Sequence, residues 1–155
     1  MTTEETLQKA AGILKNWAVE STTPEEGRLD VVLSAKDLLP AVEALMEAPW
    51  GYLASITALD YGPEEGRMEC LYHFCKDAAV LGLRLEIGRD APVIPSVCGL
   101  IPSASFFERE LSEMFGINVE GTPVPDKLFL PDDWPDGVYP LRKDFDIRQI
   151  SADKD

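Results

Sequence analysis

The chain carries one histidine and three cysteines in 155 residues. A single imidazole excludes a two-histidine metal site and leaves one candidate general base. An odd set of thiols, Cys70, Cys75 and Cys98, supplies no disulfide framework and agrees with a reducing compartment. Basic residues are scarce: 14 Lys and Arg face 28 Asp and Glu, a formal net charge of −14 and a pI of about 4.4. That balance leaves no basic patch for nucleic-acid phosphates or for an anionic membrane surface. Long hydrophobic runs are missing as well. The least polar stretch, 91–107, holds three prolines and is broken by Ser and Gly, so it cannot span about 30 Å of hydrocarbon as a helix. The start, Met1-Thr2-Thr3-Glu4-Glu5, is acidic where a secretory signal needs a basic segment. A cytoplasmic chain without direct membrane insertion is the expectation. Gly-x-Ser-x-Gly, Gly-x-Gly-x-x-Gly and phosphate-loop patterns are all absent.

What is present suits one globular domain, with 45% apolar and 27% charged residues. Leu7, Ala11, Leu14 and Trp17 recur at helical spacing, which predicts an amphipathic helix over 3–18. Residues 21–27 read as a loop and 28–33 as a short strand. Ser34 and Asp37 resemble a capping box opening a helix to about residue 47, with Leu38, Leu39, Val42, Leu45 and Met46 on one face. Strands follow over 52–59, 67–75 and 80–87, the last two alternating in character, and their short connections predict antiparallel neighbours. A Pro-punctuated crossing leads to a second predicted capping box, Ser105 with Glu108, and a helix to about Phe115 that Gly116 terminates. From 119 onward the chain reads as irregular and rich in proline. It also holds Leu128, Phe129, Leu130, Trp134, Tyr139 and Phe145, too apolar for a disordered linker. Such a tail lies against a surface, its own domain's or a partner's. The fold class predicted is α+β: a mainly antiparallel sheet of roughly four strands, helices packed on it, and an extended Pro-rich C-terminal tail. The division expected is a domain over 1–118 and a partner-docking tail over 119–155.

Few side chains combine into chemistry. Cys70 falls on one face of its strand, His73 and Cys75 on the other, so a tetrahedral zinc site there would need a bulge. An enzyme reading remains open in which His73 and a carboxylate, Glu69 or Glu86, form an acid–base pair. In the last helix, Glu108-Arg109-Glu110 is flanked by Phe106, Phe107 and Phe115. It reads either as an ion pair on a half-exposed helix or as a charged anchor in which Arg109 holds a carboxylate where two subunits meet. The basic pair Arg142 and Lys143, beside Asp144 and Phe145 and closely preceded by Trp134 and Tyr139, poses the same choice between a solvated loop and an interface.

Two blocks carry a family resemblance. They are Phe107-Glu108-Arg109-Glu110-Leu111-Ser112-Glu113-Met114-Phe115-Gly116-Ile117 and Tyr139-Pro140-Leu141-Arg142-Lys143-Asp144-Phe145, with weaker support from Ile56-Thr57-Ala58-Leu59-Asp60-Tyr61, Leu71-Tyr72-His73-Phe74 and Leu83-Arg84-Leu85. The chain resembles the thirty-kilodalton (C) subunit of respiratory complex I, NADH-quinone oxidoreductase, and its relatives in energy-converting nickel–iron hydrogenases and formate hydrogenlyase. The family-like core runs over 28–118, and the resemblance extends to Phe145. It implies an accessory subunit with no cofactor of its own, iron–sulfur clusters lying in partner subunits. The implied partners are the large, D-type, hydrogenase-like subunit and neighbouring iron–sulfur subunits, in a complex peripherally associated with the membrane. By the resemblance, Glu108, Arg109, Glu110, Phe115 and Gly116 shape the last helix and its turn, and Arg142, Lys143, Asp144 and Phe145 dock the tail, with Trp134 and Tyr139 beside them. Where respiratory members usually carry Gly-His-Pro-Asp-Leu-Arg-Arg, this chain has Gly121-Thr122-Pro123-Val124-Pro125-Asp126-Lys127, followed by Leu130-Pro131-Asp132-Asp133-Trp134-Pro135, which looks closer to hydrogenase-type relatives and divergent prokaryotic complexes.

Overall fold

The computed structural model describes residues 1–151, so the last four residues of the predicted tail lie outside the described residues. Helix α1 (Thr3–Leu14) opens with a capping box: the Thr2 side chain accepts from the Glu5 N–H, and Glu5 reaches back to the Thr2 N–H. It buries Leu7, Ala10 and Leu14. The helix stops short of the predicted residue 18, because the Trp17 and Ala18 amides both turn back to the Leu14 carbonyl and Val19 pairs with Val32. Strand β1 (Glu20–Thr22) follows, in what reads as loop from the sequence. All three of its residues are exposed, so it has no apolar alternation to betray it.

Strand β2 (Arg28–Leu33) leads through a 3-10 turn (Ala35–Asp37) into α2 (Leu38–Glu47). The Ser34 hydroxyl bonds the Asp37 carboxylate at 2.7 Å and caps no backbone group, so the predicted capping box is not formed. Pro40 sits in the first turn of α2, where its missing N–H has no intrahelical partner to lose. Strands β3 (Tyr52–Asp60), β4 (Arg67–Lys76) and β5 (Ala79–Gly88) form the antiparallel meander that the short connections predict.

The sheet order is β1-β2-β5-β4-β3. It has five strands rather than four, and its single parallel pairing joins β2 to β5. One face presents Val31, Leu83, Tyr72 and Ile56 in a cross-strand row. On it pack α1, α2 and α3 (Ala104–Phe115), closing one hydrophobic core. The opposite face carries a polar row of Asp30, Gly82, His73 and Ser55. A second, two-stranded parallel ladder, β6 (Val93–Pro95) with β7 (Asn118–Glu120), lies within the predicted crossing and the first part of the tail. Beyond it, regular structure among the described residues is confined to a short α4 (Arg148–Ser151).

Candidate functional site

Helix α3 is the framework. Its N-cap is Ser103, without a side-chain cap bond, and Ser105 lies inside the helix. The predicted Ser105–Glu108 capping box therefore does not form, for a physical reason: Glu108 turns inward. Its carboxylate is 0% exposed. It accepts from the Val97 N–H at 2.7 Å, the Ser96 hydroxyl at 2.8 Å and the Cys98 thiol at 3.0 Å. A buried carboxylate needs such a set of donors to offset its lost hydration. Glu108 thus fastens the segment after β6 to α3; burial first, then the hydrogen bond to Glu108 and its charge, push the Cys98 thiol up, with Ser96 acting against them.

One turn along, Arg109 and Glu113 stand at i and i+4, a spacing at which such pairs often bond each other. Here both grip the tail. Arg109 donates to the carbonyls of Asp126 at 2.9 Å and Lys127 at 2.7 Å. Glu113 accepts from the amides of Leu128, Phe129 and Leu130 at 3.2, 2.9 and 2.6 Å. Within its own chain the partners of Arg109 are main-chain carbonyls rather than a carboxylate. Glu110 is half-buried on the same helix.

The helix ends at Gly116, whose φ of 73° is the left-handed conformation that Gly adopts without steric cost. A Cβ there would strike the Tyr139 ring, so the tail uses the missing side chain as its seat. The Leu141 amide bonds the Met114 carbonyl at 3.1 Å, and Arg142 donates to the Phe115 carbonyl at 2.7 Å while lying over the Tyr139 ring. The last carbonyls of α3, unpaired within the helix, are satisfied by the tail. Trp134 donates its indole N–H to the Val138 carbonyl at 2.8 Å and stacks near Phe145, centroids 6.4 Å apart. Lys143 and Asp144 reach the sheet: the Lys143 amide bonds Asp60 at 2.8 Å, and Asp144 accepts from Arg89 at 2.5 Å. Between α3 and the loop 125–139 lies a cavity of about 270 Å³ walled by Trp134, Tyr139 and Arg109. On the outside stand exposed Phe106, Phe129, Leu141 and Ile147.

So the structure brings together, at one α3–tail interface, the predicted Arg109, Phe115, Gly116, Trp134, Tyr139, Arg142 and Phe145, with Lys143 and Asp144 on the adjoining sheet end. Glu113, Asp60 and Arg89 were missed as tail-holding groups. Glu113 had a signal, its helical spacing from Arg109; Arg89 had none, since its partners lie far off in sequence.

On the open sheet face, His73 Nδ1 lies 3.2 Å from the Ser55 hydroxyl. Burial, then the positive charges of Arg28 and Arg84, lower the His73 pKa, with Asp30 acting against them. Neither predicted acid–base carboxylate is hydrogen-bonded to His73. Glu69 accepts two bonds from Arg84, at 2.5 and 2.9 Å, and one from the Tyr61 hydroxyl at 2.7 Å, while Glu86 pairs with Arg67. Cys70 and Cys75 fall on opposite strand faces, and among the described residues no group of three or more His, Cys, Asp or Glu could hold a metal ion. No helix among the described residues is long and apolar enough to cross a membrane.

Residues 31–151 match the family model described as respiratory-chain NADH dehydrogenase, 30 Kd subunit. The C subunit of the NADH-quinone oxidoreductase of Saccharopolyspora erythraea is 33% identical over 142 residues, covering 88% of this chain and 56% of that protein. The beta subunit of the membrane-bound hydrogenase of Pyrococcus furiosus is 39% identical over 87 residues, covering 55% of this chain and 50% of that protein. The chain thus spans about half the length of these curated relatives. A chain in the structure of the membrane-bound sulfane sulfur reductase, an archaeal respiratory membrane complex, superposes with a TM-score of 0.77 at 28% identity, covering 94% of this chain and 87% of that one. A matching family model over most of the chain, relatives in both quinone-reducing and hydrogenase complexes, and a shared fold lead to one assignment: the chain belongs to the family of the 30-kDa subunit of the respiratory-chain NADH dehydrogenase.

Proposed function

We propose that this chain is a non-catalytic accessory subunit in the peripheral arm of a membrane-associated complex of the NADH-quinone oxidoreductase or energy-converting hydrogenase type. It supports assembly, and it holds neighbouring subunits at the fixed distances that electron transfer coupled to ion translocation requires. Its partners are a large, D-type, hydrogenase-like subunit and iron–sulfur subunits, which carry the clusters. The observation that carries this reading is the construction of the α3–tail interface. Four residues of the two blocks that carry the resemblance, Glu108, Arg109, Gly116 and Arg142, engage their own chain through their polar groups or, for Gly116, through the missing Cβ. Side chains so engaged build a rigid shape, while Phe106, Phe129, Leu141 and Ile147 stand outward for a partner to cover.

The test is to tag the chain in its native cell, solubilise membranes gently and identify co-purifying proteins by mass spectrometry. Recovery with quinone-reductase, flavin-bearing or hydrogenase subunits is the expected result; recovery alone from the soluble fraction would overturn the subunit reading. Arg109→Ala, and truncation before Tyr139, are each expected to abolish co-purification while leaving the domain folded. Normal assembly of both would remove the role given to the tail.

A further inference from the structure

The end of the sheet holds a charge cluster that the α3 contacts do not use. Asp60 closes β3, and Arg89 lies one residue past the end of β5, with β4 between those two strands. The Arg89 guanidinium donates to both Asp60 oxygens, at 2.7 and 3.0 Å, and the two side chains are only 7% and 1% exposed. A bidentate arginine–carboxylate pair is directional and fixes the position of both groups. Its remaining valences go to two places. One oxygen of Asp60 takes the Gly62 amide at 3.0 Å, which closes the turn after β3. The rest go to the tail: the Lys143 amide on Asp60 at 2.8 Å and the Asp144 carboxylate on Arg89 at 2.5 Å. Two consecutive tail residues therefore complete a buried pair, one through its main chain and one through its side chain.

We propose that Asp60 and Arg89 are the positioning residues of the tail, a latch that fixes the segment around Lys143 and Asp144 on the domain before any partner is bound. The tail then has three anchorages, residues 126–130 along α3, residues 139–142 at its C-terminal end and residues 143–144 on the sheet, and the latch closes the last of them. A docking surface assembled this way is preorganised, so association does not have to order it. That use of the surface rests on the subunit reading above; the latch itself does not, because it operates in the free chain.

Trypsin cuts after Lys and Arg, so Arg142 and Lys143 are reporters inside the latched segment. The experiment is limited trypsin digestion of the isolated full chain, followed by mass spectrometry, beside a synthetic peptide spanning 139–147. Cleavage after Arg142 and Lys143 is expected to be at least about tenfold slower in the chain than in the peptide. Asp144→Ala leaves Asp60 and Arg89 in place, removes an exposed carboxylate and is expected to restore fast cleavage at those two sites. Cuts within 1–118 and the melting temperature should stay near wild type, and Asp144→Glu should recover part of the protection. Peptide-like cleavage in the wild-type chain would overturn the latch. So would an Asp144→Ala chain that stays protected, or one whose domain cuts accelerate as much as its tail cuts. None of these readings depends on whether a partner complex is recovered.

Discussion

Burial decides most of the single-residue behaviour here. Glu108 has its carboxyl group enclosed by donors, so Glu108→Ala strands the buried Val97 amide and takes the acceptor from the half-buried Ser96 hydroxyl. A loss of about 3 kcal/mol in urea unfolding is expected, with a smaller loss for Glu108→Gln, which keeps an acceptor oxygen. Tyr72 is the converse case. Its hydroxyl is buried without a hydrogen-bond partner among the described residues, and burial first, then the charges of Cys70 and Glu108, push its pKa up. Removing an unsatisfied hydroxyl costs no bond, so Tyr72→Phe should leave stability unchanged or raise it by up to about 1 kcal/mol in the same assay. Asp60 sets an acid limit. Burial raises its pKa, but the Arg89 hydrogen bonds, the amides of Lys143 and Gly62 and the charge of Arg89 together hold it at about 2, below the ordinary 3.8. The folded state has the lower pKa, so the stabilisation is full above about 3.8 and is lost as pH falls through about 2. Roughly 2 kcal/mol is at stake. Asp60→Asn should abolish that part of the pH dependence in unfolding titrations between pH 4 and pH 2, at the expense of lower stability at neutral pH.

Among the elements, α3 does the most with its ends. Gly116 combines a left-handed turn with a seat for Tyr139, so Gly116→Ala suffers both backbone strain and a collision. A loss of about 1 to 3 kcal/mol is expected. Hydrogen exchange should show the damage concentrated in residues 139–142 rather than in the sheet, which would separate it from general unfolding. Gly116 was readable in the sequence as the stop of α3, because helix termination is local chemistry. The strands of the meander were readable for the same reason: the run Leu81, Leu83, Leu85 and Ile87 has a period of two, and its turns are short. What was not readable involves pairings that no local pattern encodes. Strand β1 is exposed on all its residues, β6 and β7 meet across 22 intervening residues that include α3, and the second capping box failed because a distant segment, Ser96 to Cys98, claimed Glu108. The site was half legible. The α3 and tail blocks stood out through the resemblance, whereas the reciprocal use of Arg109 and Glu113 on main-chain groups required the tail's path.

For the whole molecule, charge is the dominant fact. Twenty-eight acidic residues face 14 basic ones, and five of the seven arginines (Arg28, Arg67, Arg84, Arg89 and Arg148) are in ion pairs among the described residues. The arginines left for other work, Arg109 and Arg142, both hold main-chain carbonyls of the α3–tail interface. The remaining acidic surface repels itself, so salt should stabilise the free chain. A rise of a few degrees in melting temperature between 10 and 150 mM NaCl is expected, since the screening length falls from about 30 to about 8 Å over that range. A fall would mean that the ion pairs of the open sheet face outweigh the repulsion.

The parallel pairing of β2 with β5 bears on how the chain is made. Strand β2 leaves the ribosome before β5, carrying Leu29, Val31 and Leu33 that end up in the core. Apart from the three-residue β1, its only partner in the sheet is β5, whose last residue is Gly88. Until some 55 further residues have been synthesised, β2 cannot take its place between β1 and β5, and its apolar face can be covered only by the flanking helices. Nascent chains arrested before residue 79 should therefore bind chaperones and resist compaction, while those that have released Gly88 from the exit tunnel should be free of both liabilities.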